Sequence, residues 1–321
     1  MAVLQINNNL EIFTAKTFVA EMKIKKIMYF CFSNLKYNDM VKFRAKTVLF
    51  FVLLSLASIF AQEPKNTITS GGWSLGIGGV SVHDEYLSPL VYTGTLFRAD
   101  YESMRFISES NNKVSLQRTL MVSGGMTDNE AKTNSIFYLA LRPGIGFHYH
   151  FRPATNLKIL VGGIWDVFFA SKYSFNNGNN PYSADISTQI NASAIAQYTM
   201  NIKKLQVIFR YSTRSPLAGV MFVPEYGSSY YEMFTLGKLG NAIHFSSLNN
   251  SFAWNSSLSA DLMFKPMILR LSYTHDYEKH HANSLHFESM QNVFSIGTVI
   301  NFSTFDRGKH KAPASYNDIN K

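Results

Sequence analysis

The stretch Ile186–Met200, ISTQINASAIAQYTM, decides the fold. Ile186, Thr188, Ile190, Ala192, Ala194, Ala196, Tyr198 and Met200 share one face of an extended chain. Ser187, Gln189, Asn191, Ser193, Gln197 and Thr199 share the other, and Ile195 alone breaks the order. Period two is the signature of a strand, whose successive side chains point to opposite sides. The same reading holds for Phe252–Phe264, where Phe252, Trp254, Leu258, Ala260, Leu262 and Phe264 oppose Asn255, Ser257, Ser259 and Asp261. It holds again for Phe137–Phe151, where Leu139, Leu141, Ile145, Phe147 and Tyr149 oppose Arg142, Gly144, Gly146, His148 and His150.

These runs outlast the five or six residues of a usual globular strand. About ten tilted residues cross a bilayer. In lipid, a strand's backbone groups are satisfied only in a closed barrel, one side apolar for lipid and the other polar for the lumen. A secreted β-sandwich would need shorter strands and two apolar inner faces. The expectation is therefore an all-β, antiparallel up-and-down transmembrane barrel over 72–305. It has ten strands, near 72–82, 91–106, 113–126, 134–151, 156–170, 184–200, 204–218, 251–265, 266–277 and 290–303. Short connections (Ser108–Asn112, Arg152–Thr155, Asn201–Lys203, Phe264–Pro266) alternate with long ones (Met126–Thr133, Phe168–Ser183, Gly219–Asn250, Asp276–Gln291), as periplasmic turns alternate with surface loops. Phe302, near the end of the last strand, is placed at the inner interface. An extra hairpin within Gly219–Asn250 would raise the count to twelve.

The front of the chain reads as an export signal. Lys42, Arg44 and Lys46 precede the apolar run Val48–Phe60, which ends at Ala61 before Gln62-Glu63-Pro64. Positive head, short apolar middle and small residue form a secretory signal over 40–61, with cleavage expected after Ala61 and delivery to a bacterial outer membrane. Residues 1–39 read as an upstream extension outside the fold, 62–71 as a linker and 306–321 as a polar tail. Residues 1–61 carry +5 of the net +9. The +4 left for the rest is too weak for a nucleic-acid footprint. The one cysteine, Cys31, precedes the barrel, so disulfide frameworks, thiolate metal sites and cysteine catalysis are excluded from 62–321. Outer-membrane lipid is the expected partner, beside an extracellular ligand or protein. No cofactor and no metal ion is expected.

On this register the inward charges are Arg98, Asp100, Glu102, Arg142, Asp166, Arg210, Arg214, Asp261 and Arg270. Both signs are present, which fits a narrow lumen filled by ion pairs better than a conducting pore. Arg118 falls among the apolar residues of its strand, which a bulge or a shift by one would explain. The long loop is aromatic and acidic, with Glu225, Tyr226, Tyr230, Tyr231 and Glu232, and reads as a binding element or a lid.

The run Arg214-Ser215-Pro216-Leu217-Ala218-Gly219-Val220-Met221-Phe222, with Pro224-Glu225-Tyr226-Gly227, Ser229-Tyr230-Tyr231-Glu232-Met233-Phe234 and Ile243-His244-Phe245, resembles an uncharacterised outer-membrane barrel family of the Bacteroidetes type, domain-of-unknown-function family 3316. The resemblance implies an outer-membrane location and supplies no activity. His244-x-Ser246 is similar to the His-x-Ser of outer-membrane phospholipases and lipid A deacylases. That likeness implies Ser246 as nucleophile and His244 as base on one side of a lipid-facing strand. The chain departs from it: Ser247 replaces the Asn after the serine, and Leu258 stands where the third member belongs, leaving Asn255 or Asp261 as substitutes. His83-Asp84-Glu85 and His275-Asp276 are placed at the surface rims, and His280, His281, His286 and Glu288 in the last surface loop without regular ligand spacing. The leading reading is a barrel of binding, structural or transport character; the alternative is a lipid esterase.

Overall fold

The computed structural model describes residues 68–107, 112–178, 181–203, 205–235, 242–264 and 267–303. The signal, its cleavage point, the upstream extension and the 306–321 tail lie outside the described residues. The strands are β1 (Ile68–Asp84), β2 (Ser88–Phe106), β3 (Val114–Asn129), β4 (Ser135–Ala154), β5 (Leu157–Ser174), β6 (Tyr182–Ile202), β7 (Leu205–Phe222), β8 (Ile243–Ser247), β9 (Ser251–Met263), β10 (Ile268–Ala282) and β11 (Leu285–Ser303). One short helix, α1 (Tyr230–Thr235), lies between β7 and β8.

Consecutive strands from β1 to β7 pair antiparallel, β9 pairs β10, β10 pairs β11, and β11 returns to β1. The wall closes through β7, which has two partners along one edge: β9 on Gln206–Arg214 and β8 on Ala218–Phe222. β8 and β9 thus share one place, and the described strands form a closed antiparallel barrel of ten places. No extra hairpin forms among the described residues of the long loop, so the count of twelve is set aside.

Alternation sets the two sides. Trp73, Leu75, Ile77, Phe97, Phe147, Phe294 and Ile296 are exposed on the outer wall, while their neighbours in sequence turn inward. An apolar outside around a closed wall is what lipid requires. The register shifts near two strand ends, at His83/Asp84 and Phe151/Ala154, and within the wall on β7: Ile190 pairs Ala218 and Asn191 pairs Pro216, so Leu217 is the extra residue. Proline lacks an N–H, and a bulge is where a strand tolerates it. The ladders on either side of β3 are unbroken, so no bulge accounts for Arg118; it stays on the outer side, opposite Ser103 and Ile145.

Three expected surface loops are at least half strand. Asp276–Gln291 forms the tip of the β10–β11 hairpin, which turns on Asn283 (φ 53°) and Ser284 (φ 59°). Positive φ at both central residues gives the turn twist that matches paired strands. Half of Met126–Thr133 belongs to the upper end of β3, and more than half of Phe168–Ser183 to the upper ends of β5 and β6. Side-chain period carries no mark where a strand leaves the membrane, so the sequence reading stopped these strands too early.

Candidate functional site

The lumen is built in layers. At the periplasmic end Met104, Phe106, Leu160 and Ile195 cluster, which explains why Ile195 breaks the polar face of β6. Beside them His148 Nε2 lies 2.9 Å from Ser193 Oγ and His150 Nε2 lies 2.8 Å from Ser115 Oγ, with the His150 ring packed on Phe106.

Above this apolar layer sits an ionic one. Glu102 is its hub. It accepts from both terminal nitrogens of Arg210, from Arg270 at 2.8 Å and from Gln117 at 2.5 Å. Arg270 also grips Asp261 through Nε and a terminal nitrogen at 2.6 and 2.7 Å. Arg98 joins Asp100 (2.8 Å) to Asp276 (2.5 Å) across the lumen. Arg142 pairs with Glu278, donates to Asn255 Oδ1 at 3.4 Å and lies 4.3 Å from the Phe168 ring centre. Arg214 stands 3.5 Å from Asp166. Glu102, Asp100, Asp276 and the arginines of this layer, with Ser74, Thr119, Ser257 and Ser272, line a cavity of about 160 Å³. It is polar and roomy enough for several waters.

A second apolar cluster closes the extracellular side: Val80, Val82, Leu96, Met121, Tyr138, Ala140, Phe168, Ala170, Phe287 and Val293. Within it Lys172, 0% exposed, is shared by Asp84 (2.5 Å) and Asp185 (2.6 Å) and sits 4.0 Å from the Phe287 ring centre. A buried ammonium is tolerated only with such partners. Lys172 and Glu278 were not among the inward charges read from the sequence because they lie on strand ends it assigned to loops, Asp84 was read as a rim residue, and Asp185 was passed over at the start of the expected strand 184–200. Extending the same parity would have found them.

Over the top, the β7–β8 connection folds back onto the barrel. The Tyr230 hydroxyl accepts from the Ala184 N–H at 2.7 Å, and its ring meets Tyr86 and Tyr182 edge-on. Tyr86 donates to the Ser228 carbonyl at 2.8 Å. Burial raises the Tyr230 phenol above the usual tyrosine range, more than the Ala184 N–H lowers it. Ser229 and Glu232 cap α1 reciprocally, Glu232 accepting from the Ser229 N–H at 3.0 Å and donating its own N–H to Ser229 Oγ at 3.2 Å. Tyr226 is exposed and Glu225 lies beside it at the turn before α1; the Tyr231 side chain, like that of Phe302, lies outside the described residues.

The esterase geometry is not formed. His244 and Ser246 do share a side of β8, but it is the inward side; Ile243 and Phe245 face out. Ser246 is 1% exposed and its hydroxyl accepts from Gln189 Nε2 at 3.0 Å. Asn255 is engaged by Arg142 in the lumen. β8 pairs with the part of β7 above the bulge at Leu217, where Met221 is the inward residue and His244 lies opposite it. The rim pairs are corrected too. Asp276 lies in the lumen on Arg98, while His275 faces outward with Nδ1 2.8 Å from Asn292 Oδ1. His280, His281, His286 and Glu288 stand on the β10–β11 hairpin, not in a loop, and His83 faces outward beside His286, ring centres 5.6 Å apart. Among the described residues no three of His, Cys, Asp and Glu are grouped to hold a metal ion.

Residues 47–309 match a family described as a protein of unknown function, DUF3316. The chain belongs to that family. No curated protein matches it. Solved structures with similar architecture include the outer-membrane protease OmpT of Escherichia coli (8% identity, 73% of this chain and 97% of that one, TM-score 0.39). The transport unit of the E. coli autotransporter AIDA-I is another (9%, 76% and 92%, TM-score 0.40). A third is the Neisserial surface protein NspA (10%, 75% and 100%, TM-score 0.30). These likenesses carry no argument about activity. The DUF3316 chain is an outer-membrane-type β-barrel whose specific activity is open.

Proposed function

We propose that this DUF3316 barrel works by binding at its extracellular end and does not conduct solutes. The observation that carries this reading is the filled lumen: two apolar clusters bracket a layer of crossed ion pairs, and the aromatic lid of 223–235 covers the top. A ten-place wall encloses little more than the eight-stranded barrels that side chains fill. The exposed Tyr226 and Glu225 offer an aromatic face and a carboxylate to an extracellular ligand or protein. Export proceeds through a signal cleaved after Ala61, and the barrel resides in a bacterial outer membrane with lipid as its constant partner. Reconstitution into planar bilayers tests the central claim. Folded, heat-modifiable protein is expected to leave the bilayer silent, and a steady conductance at modest voltage refutes the reading. Amino-terminal sequencing of protein from the outer-membrane fraction tests the cleavage point, with Gln62 expected first.

A further inference from the structure

The outer wall is not equally tall all round. On β4 the outward side chains stay apolar or aromatic from Phe151 to Phe137, and Ser135 is the first that is neither. On β7 and β8 Leu217, Val220, Ile243 and Phe245 carry the apolar surface to the rim; Ile243 and Phe245 are 60% and 68% exposed. Across the barrel, β10 turns polar at His275 and continues with Tyr277, Lys279 and His281. Their register partners on β11 are Asn292, Met290, Glu288 and His286, and β1 adds Ser81 and His83. β4 and β10 are five places apart in a ten-place wall, so they stand opposite each other.

Apolar surface left in water costs about 25 cal/mol per Å². Charge held at mid-bilayer is costly as well. A rigid barrel lowers both costs by leaning. We infer that the protein sits tilted in the membrane, so that outer-leaflet acyl chains cover the β4–β8 wall almost to its rim while the β10–β11–β1 wall stands out of the lipid. Lipid is the occupant because the raised apolar surface, Leu217, Val220, Ile243 and Phe245, is continuous with the membrane belt below it.

The test uses single cysteines in the full chain carrying Cys31→Ser: Leu139→Cys, Phe245→Cys, Ser81→Cys and Lys279→Cys. Leu139, Ser81 and Lys279 lie three or four residues below the extracellular ends of β4, β1 and β10. Each is spin-labelled in liposomes, and relaxation by oxygen (lipid-rich) is compared with relaxation by a water-soluble nickel chelate. Labels at 139 and 245 are expected to favour oxygen several-fold, and labels at 81 and 279 the chelate. Equal preference at all four positions overturns the tilt. So does shielding of 139 and 245 from both reagents, which marks a protein partner or a second copy on that wall. Heat-modifiable migration confirms that each variant has folded.

Discussion

Glutamine in place of Glu102 removes one negative charge and almost no volume. In the native lumen that carboxylate accepts from Arg210, Arg270 and Gln117. Arg270 keeps Asp261, which holds it through two nitrogens, but among these bonds Arg210 has no second carboxylate. Breaking a buried pair by removing one partner costs about 3–5 kcal/mol, because the other charge stays desolvated. Asp261 still serves Arg270, and the Glu102 side chain is 21% exposed, so the low end applies: about 3 kcal/mol. The assay is reversible denaturant unfolding in lipid vesicles, followed by tryptophan fluorescence and gel mobility. Glu130→Gln, on an exposed turn, is the control and should move the midpoint little. Arg210→Gln alone should also destabilise, and the double variant Glu102→Gln/Arg210→Gln should recover part of the loss because no charge is left stranded. A loss for Glu102→Gln below about 1 kcal/mol, or strict additivity in the double variant, would show that the pair is hydrated and that the lumen is not sealed.

The two apolar clusters act in series. Phe106→Ser or Phe168→Ser alone is expected to leave planar bilayers silent, and only the double variant should pass ions; conductance from either single variant contradicts that arrangement. Ser284→Gly relieves a left-handed backbone at the β10–β11 turn and is expected to stabilise by about 1 kcal/mol, read as a shift in unfolding midpoint, whereas Ser284→Val should destabilise. Tyr230→Phe leaves the Ala184 N–H without its phenol acceptor, costs about 1 kcal/mol and should speed proteolysis within 223–242. Because burial raises the Tyr230 pKa, its contribution is complete below the unfolded value of about 10 and is lost as pH climbs through the folded value. Protection of the native lid should therefore fall in alkali, while the Tyr230→Phe variant shows a smaller fall.

Much of the wall was legible because a barrel strand answers to a single rule repeated at every second residue. Ile186–Met200 displayed that rule plainly, and even its exception, Ile195, proved to be part of the periplasmic plug. Arg98, Glu102, Arg142, Arg210 and Arg270 could be placed inside from parity alone, but which carboxylate each would meet could not. Pairing such as Arg98 with Asp276 joins residues far apart in sequence and depends on how many residues the wall slips on closing. The lipid-facing side for His244 and Ser246 came from the likeness to lipid esterases and not from parity; in the structure both turn inward, opposite Met221 and Gly219 on the part of β7 that lies above the extra residue Leu217. Lys172 was missed for a different reason: nothing in the alternation marks the height at which lipid ends.

The shared edge of β7 has a consequence for how such a chain can change. β9 alone fixes the lower ladder from Gln206 to Arg214, and Gln189 ties Ser246 of β8 to Ser251 of β9 from within. The intervening excursion therefore behaves as a cassette. Its length and sequence can drift, or be exchanged for a foreign peptide, without disturbing the register below, which makes this one place in the barrel a natural site for diversification and for grafting.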